Sequence, residues 1–195
     1  MKKKLISALL AAAMVFALAA CSTGEQPSPS PSESQAPAIP DALTILTTVW
    51  GTYTEDEKFP AAGGDYDNMV DGAPGKMDLT NADNVSYLLS VPEASMPMID
   101  DAASLMHMMN GNTFTCGAFH IANADDVSAF GTAMRDGLQA KHWMCGFPDK
   151  LVVADLGGGY VAALYGEEDL VNTFRDKLQT SFEGVSVVYD EAIAA

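Results

Sequence analysis

The chain has 195 residues, and its 26 acidic residues outnumber its 10 basic ones, for a formal net charge of −16. Three of the basic residues are Lys2, Lys3 and Lys4, so the remainder of the chain is still more acidic. This excess of negative charge argues against nucleic acid as a partner and against direct docking on anionic lipid, because both need a basic surface.

Residues 1–20 have the organisation of a signal peptide. A basic head precedes an apolar run from Leu5 to Leu18, which is shorter than the ~20 residues that span a bilayer. The ending Leu18-Ala19-Ala20-Cys21 resembles the lipobox of bacterial lipoproteins; a conventional secretory signal with a chance cysteine is the alternative. The lipobox implies cleavage before Cys21 and attachment of a diacylglyceryl group, for example with palmitate chains, to its thiol. Two acyl chains anchor a protein stably, so we expect a lipid-anchored protein on the extracytoplasmic face of the cell membrane.

Residues 21–40 comprise the lipidated cysteine and a stretch rich in Pro and Ser. This stretch has almost no apolar side chain to bury, so it is predicted to be a disordered tether. Fully extended at ~3.1 Å per residue, it reaches roughly 60 Å, which would hold the folded part away from the lipid surface.

Residues 41–195 are predicted to form a single α+β domain, which is long enough to bury a core. Within residues 41–100, Asp41 is expected to cap a helix over residues 42–54, whose apolar residues recur on one face. The glycine-rich residues 60–78 are predicted to be a long surface loop, and residues 81–90 a short helix. Residues 101–195 are predicted to contain the sheet.

Residues 102–122 allow two interpretations. The apolar residues up to Met109 could continue a helix, but Asn110-Gly111 follows them, and then a run rich in strand-forming residues. Because Asn-Gly between two apolar runs is a strong hairpin signal, a β-hairpin is favoured.

The order of the later elements predicts the fold class. Asn123 or Asp125 is expected to cap a helix, and a strand, three glycines, a second strand, a helix and a last strand follow. These elements cover residues 123–143, 151–156, 160–165, 167–182 and 185–189. From Thr113 on, the βαββαβ order is that of ferredoxin-like domains. It predicts a mainly antiparallel sheet with two helices on one face, plus N-terminal helices.

Diffuse apolar motifs stand at residues 99–105 (IDDAASL), 112–115 (NTFT), 143–149 (WMCGFPD) and 160–166 (YVAALYG). With the lipobox and the tether, they resemble small lipoproteins of low-GC Gram-positive anaerobes that carry a domain of unknown function, domain-of-unknown-function family 4358. The similarity covers about half of the chain. It implies a location and a domain class, and it implies no activity.

The acidic segment at residues 65–72 (DYDNMVDG) is similar in spacing to a calcium loop. Met69 stands where an EF-hand loop needs Asp or Asn, so the EF-hand pattern is not met. The default interpretation is a solvated acidic loop. A loose cation site from Asp65, Asp67 and Asp71 is the weaker hypothesis.

Methionines and a histidine crowd one part of the sequence. Thioethers with an imidazole suit Cu(I), whereas methionine that fills gaps in a core is the simpler explanation. In a continuous strand, alternate residues face opposite ways, so these side chains are not expected to meet at one ion. They are Met96, Met98, Met106, His107, Met108 and Met109.

Two cysteines remain beside the lipid attachment residue, Cys116 and Cys145. An exported compartment permits a disulfide between them, and two buried thiols are the alternative. Cys145 follows a predicted helix, whose negative end disfavours a thiolate. With Trp143 and Phe147 expected to pack on the sheet, Cys145 is predicted to be structural rather than reactive.

These observations favour a non-catalytic binding or accessory module at the cell envelope. No metalloprotease, nucleophile-elbow or phosphate-loop motif occurs in the sequence, so no catalytic residue, no resident metal and no cofactor is predicted. The expected partners are the membrane, through the lipid on Cys21, and a protein, an envelope polymer or a small-molecule ligand. The alternatives are a thiol-redox enzyme that uses Cys145 and a metal-binding protein.

Overall fold

A computed structural model describes residues 39–194. The signal peptide, Cys21 and all but the last two residues of the tether lie outside the described residues. The described part is an α+β fold built on one eight-stranded antiparallel sheet, which confirms the predicted fold class.

Four α-helices and eight strands form the fold, together with two 3-10 turns. The helices are α1 (Ala42–Trp50), α2 (Ala82–Leu89), α3 (Val127–Ala140) and α4 (Glu168–Ser181). The first four strands are β1 (Ala61–Gly63), β2 (Val70–Asp71), β3 (Gly75–Lys76) and β4 (Ile99–His107). The last four are β5 (Phe114–Ile121), β6 (Lys150–Gly157), β7 (Tyr160–Gly166) and β8 (Ser186–Ala192).

Most predicted elements are confirmed, because their local signals are strong. Asp41 caps α1 by accepting a hydrogen bond from the backbone N–H of Thr44 at 2.7 Å, and Asn81 caps α2 in the same way. The favoured hairpin is present, since β4 and β5 pair on either side of the Asn-Gly turn. The three glycines after Leu156 join β6 to β7, also as predicted.

The sheet separates two apolar clusters, one on each face. Its strand order is β2-β1-β4-β5-β7-β6-β8, and β3 pairs with β4 beside β1. Helices α1 and α4 pack on one face, around Phe114 and Phe174. Helices α2 and α3 pack on the other, around Phe119 and Phe130. The central strand β7 is buried along its whole length, because it is covered on both faces.

The ferredoxin-like arrangement is not confirmed, since the two later helices lie on opposite faces. β4 occupies the outer edge of β5, so β8 pairs with β6 instead of with β5. The chain crosses from β5 to β6 through α3 and from β7 to β8 through α4, and both crossovers run in the same direction across the sheet. Their starting strands, β5 and β7, are antiparallel. Because crossovers of this kind are right-handed, the two helices are placed on opposite sides.

The predicted surface loop at residues 60–78 is wrong in part, because it contains three short strands that extend the sheet. Two glycines allow this. A Cβ atom on Gly63 or on Gly75 would collide with the backbone of the neighbouring strand, so only glycine permits the close approach of β1 and β3. The hydroxyl of Ser104 on β4 also donates to the Gly64 carbonyl at 2.8 Å.

Both clusters belong entirely to one compact unit, Gln35–Ala195. The packing of the core within residues 39–194 thus lies in this unit, and we expect a fragment of residues 35–195 to fold. None of the helices within residues 39–194 combines the length and the apolar character that crossing a bilayer requires.

Candidate functional site

The most conspicuous surface feature is a groove of about 610 Å³. Nine large apolar side chains are exposed among the described residues, and six of them line this groove. They come from four separate segments, and the most exposed are Met109 and Met144, each at 79%. The six are Tyr66, Met69, Tyr87, Met108, Met109 and Met144. We call this feature the methionine groove.

Two asparagines hold one wall of the groove together. Asn110, in the turn between β4 and β5, donates from its side-chain amide to the carbonyl of Cys145 at 2.9 Å. Asn112 donates to the carbonyls of Met144 and Gly146 at 3.1 and 3.0 Å. The turn and the segment after α3 are thereby joined, which fixes the exposed methionines of both segments on one surface.

The buried carboxylate of Asp65 organises another segment of the groove lining. It accepts hydrogen bonds from the backbone N–H groups of Asp67 and Asn68, both at 2.9 Å, and of Asp78 at 2.8 Å. Burial raises the pKa of Asp65, but these hydrogen bonds outweigh that effect and keep its pKa below the ordinary value. The groove residues Tyr66 and Met69 belong to this same segment.

The weak cation hypothesis for Asp65, Asp67 and Asp71 finds no geometric support. The oxygens of Asp65 are occupied by backbone donors, and Asp71 is exposed on β2. Within residues 39–194, no three His, Cys, Asp or Glu side chains are grouped so as to hold a metal ion.

The methionine and histidine cluster does not face one way. Met106 and His107 both belong to β4, which ends at His107, and the His107 ring stacks on Phe59, which packs against the cluster under α1 and α4. Beyond the strand the chain turns, so Met108 and Met109 join Met106 along the groove. The lining residues do not include Met96 and Met98.

The two cysteines are not joined. Cys116 is buried, Cys145 is exposed, and both are free thiols. Cys116 points into the cluster under α1 and α4, whereas Cys145 lines the groove on the other side of the sheet, so the structure favours the free-thiol alternative. Burial also raises the pKa of the Cys116 thiol.

Cys145 does not have the sheltered position predicted for it. The helix α3 ends at Ala140, so Cys145 lies in a loop rather than at a helix end. Trp143 is buried against Tyr165, as expected, but Phe147 is exposed. An accessible thiol meets the first requirement of the thiol-redox alternative, whereas the other described cysteine, Cys116, is out of its reach.

Lys141 is the one lysine or arginine among the residues that line the groove. Its ammonium lies 4.6 Å from the centre of the Trp143 ring and 5.8 Å from that of Tyr165. It donates to the hydroxyl of Ser90 at 2.6 Å. Desolvation by burial lowers the pKa of this ammonium.

A second cavity, of about 550 Å³, lies where the chain enters the domain. Ile39, Pro40, Leu156 and Phe182 contribute to its apolar lining, and it contains no basic side chain. It lacks the combination of exposed methionines, aromatic rings and a cation that distinguishes the methionine groove.

Sequence reasoning missed Lys141, Tyr66 and Tyr87. For Tyr87 a signal existed: Val85, Leu88 and Leu89 define the inner face of α2, so the tyrosine between them had to point outward. A single lysine and a loop tyrosine carry no comparable local pattern, because their importance depends on which distant segments meet them.

No protein-family model, curated protein or solved structure matches this chain. Function is accordingly inferred from the residues of the chain and their geometry.

Proposed function

We propose that this chain is a lipid-anchored extracytoplasmic binding protein whose folded domain takes a ligand with apolar groups into the methionine groove. The signal peptide, the lipobox at Cys21 and the Pro/Ser tether support the location. The observation that carries the binding function is the concentration of exposed apolar side chains in one groove.

The groove has the properties of a ligand site. Large exposed apolar patches on soluble domains mark interaction sites, and flexible thioethers adapt to varied apolar partners. The volume of about 610 Å³ lies within the range of small-molecule pockets. No residue in the groove is assigned a catalytic role.

The binding function predicts that the fragment of residues 35–195 binds N-phenyl-1-naphthylamine, a neutral aromatic probe that fluoresces in apolar surroundings. Serine at Met108, Met109 and Met144 together should weaken binding about tenfold or more, because a loss of about 1.4 kcal/mol of apolar contact is tenfold in Kd. Fluorescence titration measures the change. All three side chains are exposed, Met108 at 49% and the other two at 79%, so folding should be unaffected.

Val188→Ser is the matched control, since Val188 is an exposed apolar residue on β8 outside the groove. It should leave probe binding unchanged. An absence of probe binding, or equal binding by the triple variant and the control, would contradict the proposed function.

The location predicts that Cys21→Ser abolishes lipid attachment and lipoprotein-type cleavage, because the thiol is the atom that carries the diacylglyceryl group. Labelling of cells with an alkyne-tagged palmitate analogue, followed by electrophoresis, checks this. Ser22→Ala is the control and should retain the label. A Cys21→Ser protein that is still labelled would disprove the lipobox assignment.

A second candidate function is Cu(I) binding, favoured by the thioethers and the Cys145 thiol that share the groove. One contact counts against it. The backbone N–H of Met109 donates to Nδ1 of His107 at 3.3 Å, so the neutral ring carries its proton on Nε2 and presents a donor there instead of a metal ligand. Metal analysis of protein purified without chelators separates this candidate from the first.

A further inference from the structure

One cation among residues 39–194 has no carboxylate partner in that part of the chain. Seven lysine and arginine residues follow the signal peptide. Six of them, all but Lys141, form ion pairs within the described residues. Acidic residues are abundant, so the isolation of Lys141 within residues 39–194 reflects its place in the fold.

That place is the methionine groove, which contains no acidic side chain. His142 is exposed beside Lys141 in the groove. Because the lining contains Lys141 and no carboxylate, a negative charge placed there meets no like charge among the lining side chains.

From this complementarity we infer that the ligand of the methionine groove is a small amphipathic anion, whose apolar body lies on the methionines and whose anionic group pairs with Lys141. The inference rests on the proposed function and specifies its ligand class. A small molecule fits better than a macromolecule, because the groove volume of about 610 Å³ is that of a small-molecule site.

The surroundings of Lys141 favour a strong pairing. The Trp143 and Tyr165 rings shield the ammonium from water on one side, and charge pairs gain strength where water is excluded. The bond to Ser90 uses one of its three N–H groups, which leaves donors for a carboxylate, sulfonate or phosphate. Burial also lowers the pKa of Lys141, and an anionic partner would restore it.

Two probes that differ by one charge test the inference. 8-Anilino-1-naphthalenesulfonate carries the aromatic body of N-phenyl-1-naphthylamine plus a sulfonate. The fragment of residues 35–195 should bind the sulfonate probe about tenfold more tightly than the neutral one, since hydrogen bonds to charged groups are worth at least that factor. Lys141→Met should remove this preference and leave neutral-probe binding within twofold, whereas Lys141→Arg should retain it.

Lys177→Met is the matched control, because Lys177 also lies over an aromatic ring, 4.7 Å from the centre of Tyr53, but outside the groove. It should not change the preference. Circular dichroism checks folding, and Lys141→Gln replaces Lys141→Met if the latter unfolds. Equal affinity for the two probes, or a preference that survives the loss of Lys141, overturns the inference while the proposed function stands. Failure of the neutral probe to bind overturns both.

Discussion

Phe114→Ala is expected to destabilise the domain by about 3–5 kcal/mol, the usual cost of deleting a fully buried phenylalanine. Phe114 has no exposed surface. Its ring lies 5.1 Å from that of Phe59 and 5.5 Å from that of Phe174, so it joins the sheet to α4. Removal of the ring leaves a cavity that these rigid neighbours cannot close. Urea denaturation of the fragment of residues 35–195 measures the loss.

Phe147→Ala is the control for this change, since the same side chain is deleted where it is 68% exposed. Surface substitutions of this kind change stability by about 0.5 kcal/mol or less. Comparable losses at Phe114 and Phe147 would mean that the two phenylalanines are equally buried, contrary to the structure.

Asp65→Ala is expected to cost roughly 2–4 kcal/mol, because it removes the acceptor of three backbone N–H groups from a site that is 3% exposed. Asp65→Asn should cost about half as much, since an amide oxygen replaces only one carboxylate oxygen. Asp67→Ala, in the same acidic segment, is the control and should have little effect. Chemical denaturation again gives the differences.

The Asp65 contribution should depend on pH in a defined direction. Hydrogen bonds hold the pKa of Asp65 below its ordinary value of 3.8, so the carboxylate stabilises the fold fully above that pH. The stabilisation is lost as the pH falls through the lower, folded-state pKa. The stability gap between wild type and Asp65→Asn should therefore narrow below pH 3.8. A gap that is constant from pH 3 to pH 6 would contradict the assigned hydrogen bonds.

Local sequence signals predicted the helices and hairpins well. The Asp41 and Asn81 caps, the helical spacing in α3 and α4 and the Asn-Gly turn each depend on residues a few positions apart. The position of β8, in contrast, depends on strands that are distant from it in the sequence. Nothing near residues 186–192 indicates that β4 blocks the edge of β5, so the ferredoxin-like arrangement could not be rejected from the sequence.

The groove was not predicted, for the same reason. The methionines after residue 105 were visible as a cluster, but their common exposure depends on where β4 ends. Cys145 was assigned to a helix end because α3 was expected to reach Trp143, whereas it ends at Ala140. Lys141 is distinguished by its fold context, since every other lysine and arginine in the described part of the chain pairs with a carboxylate.

Methionine methyl groups report directly on whether the methionine groove is the ligand site. The fragment of residues 35–195 should be labelled with ¹³C at its methionine methyl groups and titrated with N-phenyl-1-naphthylamine. We expect the signals of the groove methionines to shift together at one Kd, while those of Met77 and Met134, which are buried under α2 and α3, stay in place. The groove set is Met69, Met106, Met108, Met109 and Met144. Shifts confined to methionines outside this set, or no shift at saturating probe, would contradict the assignment of the groove as the binding site.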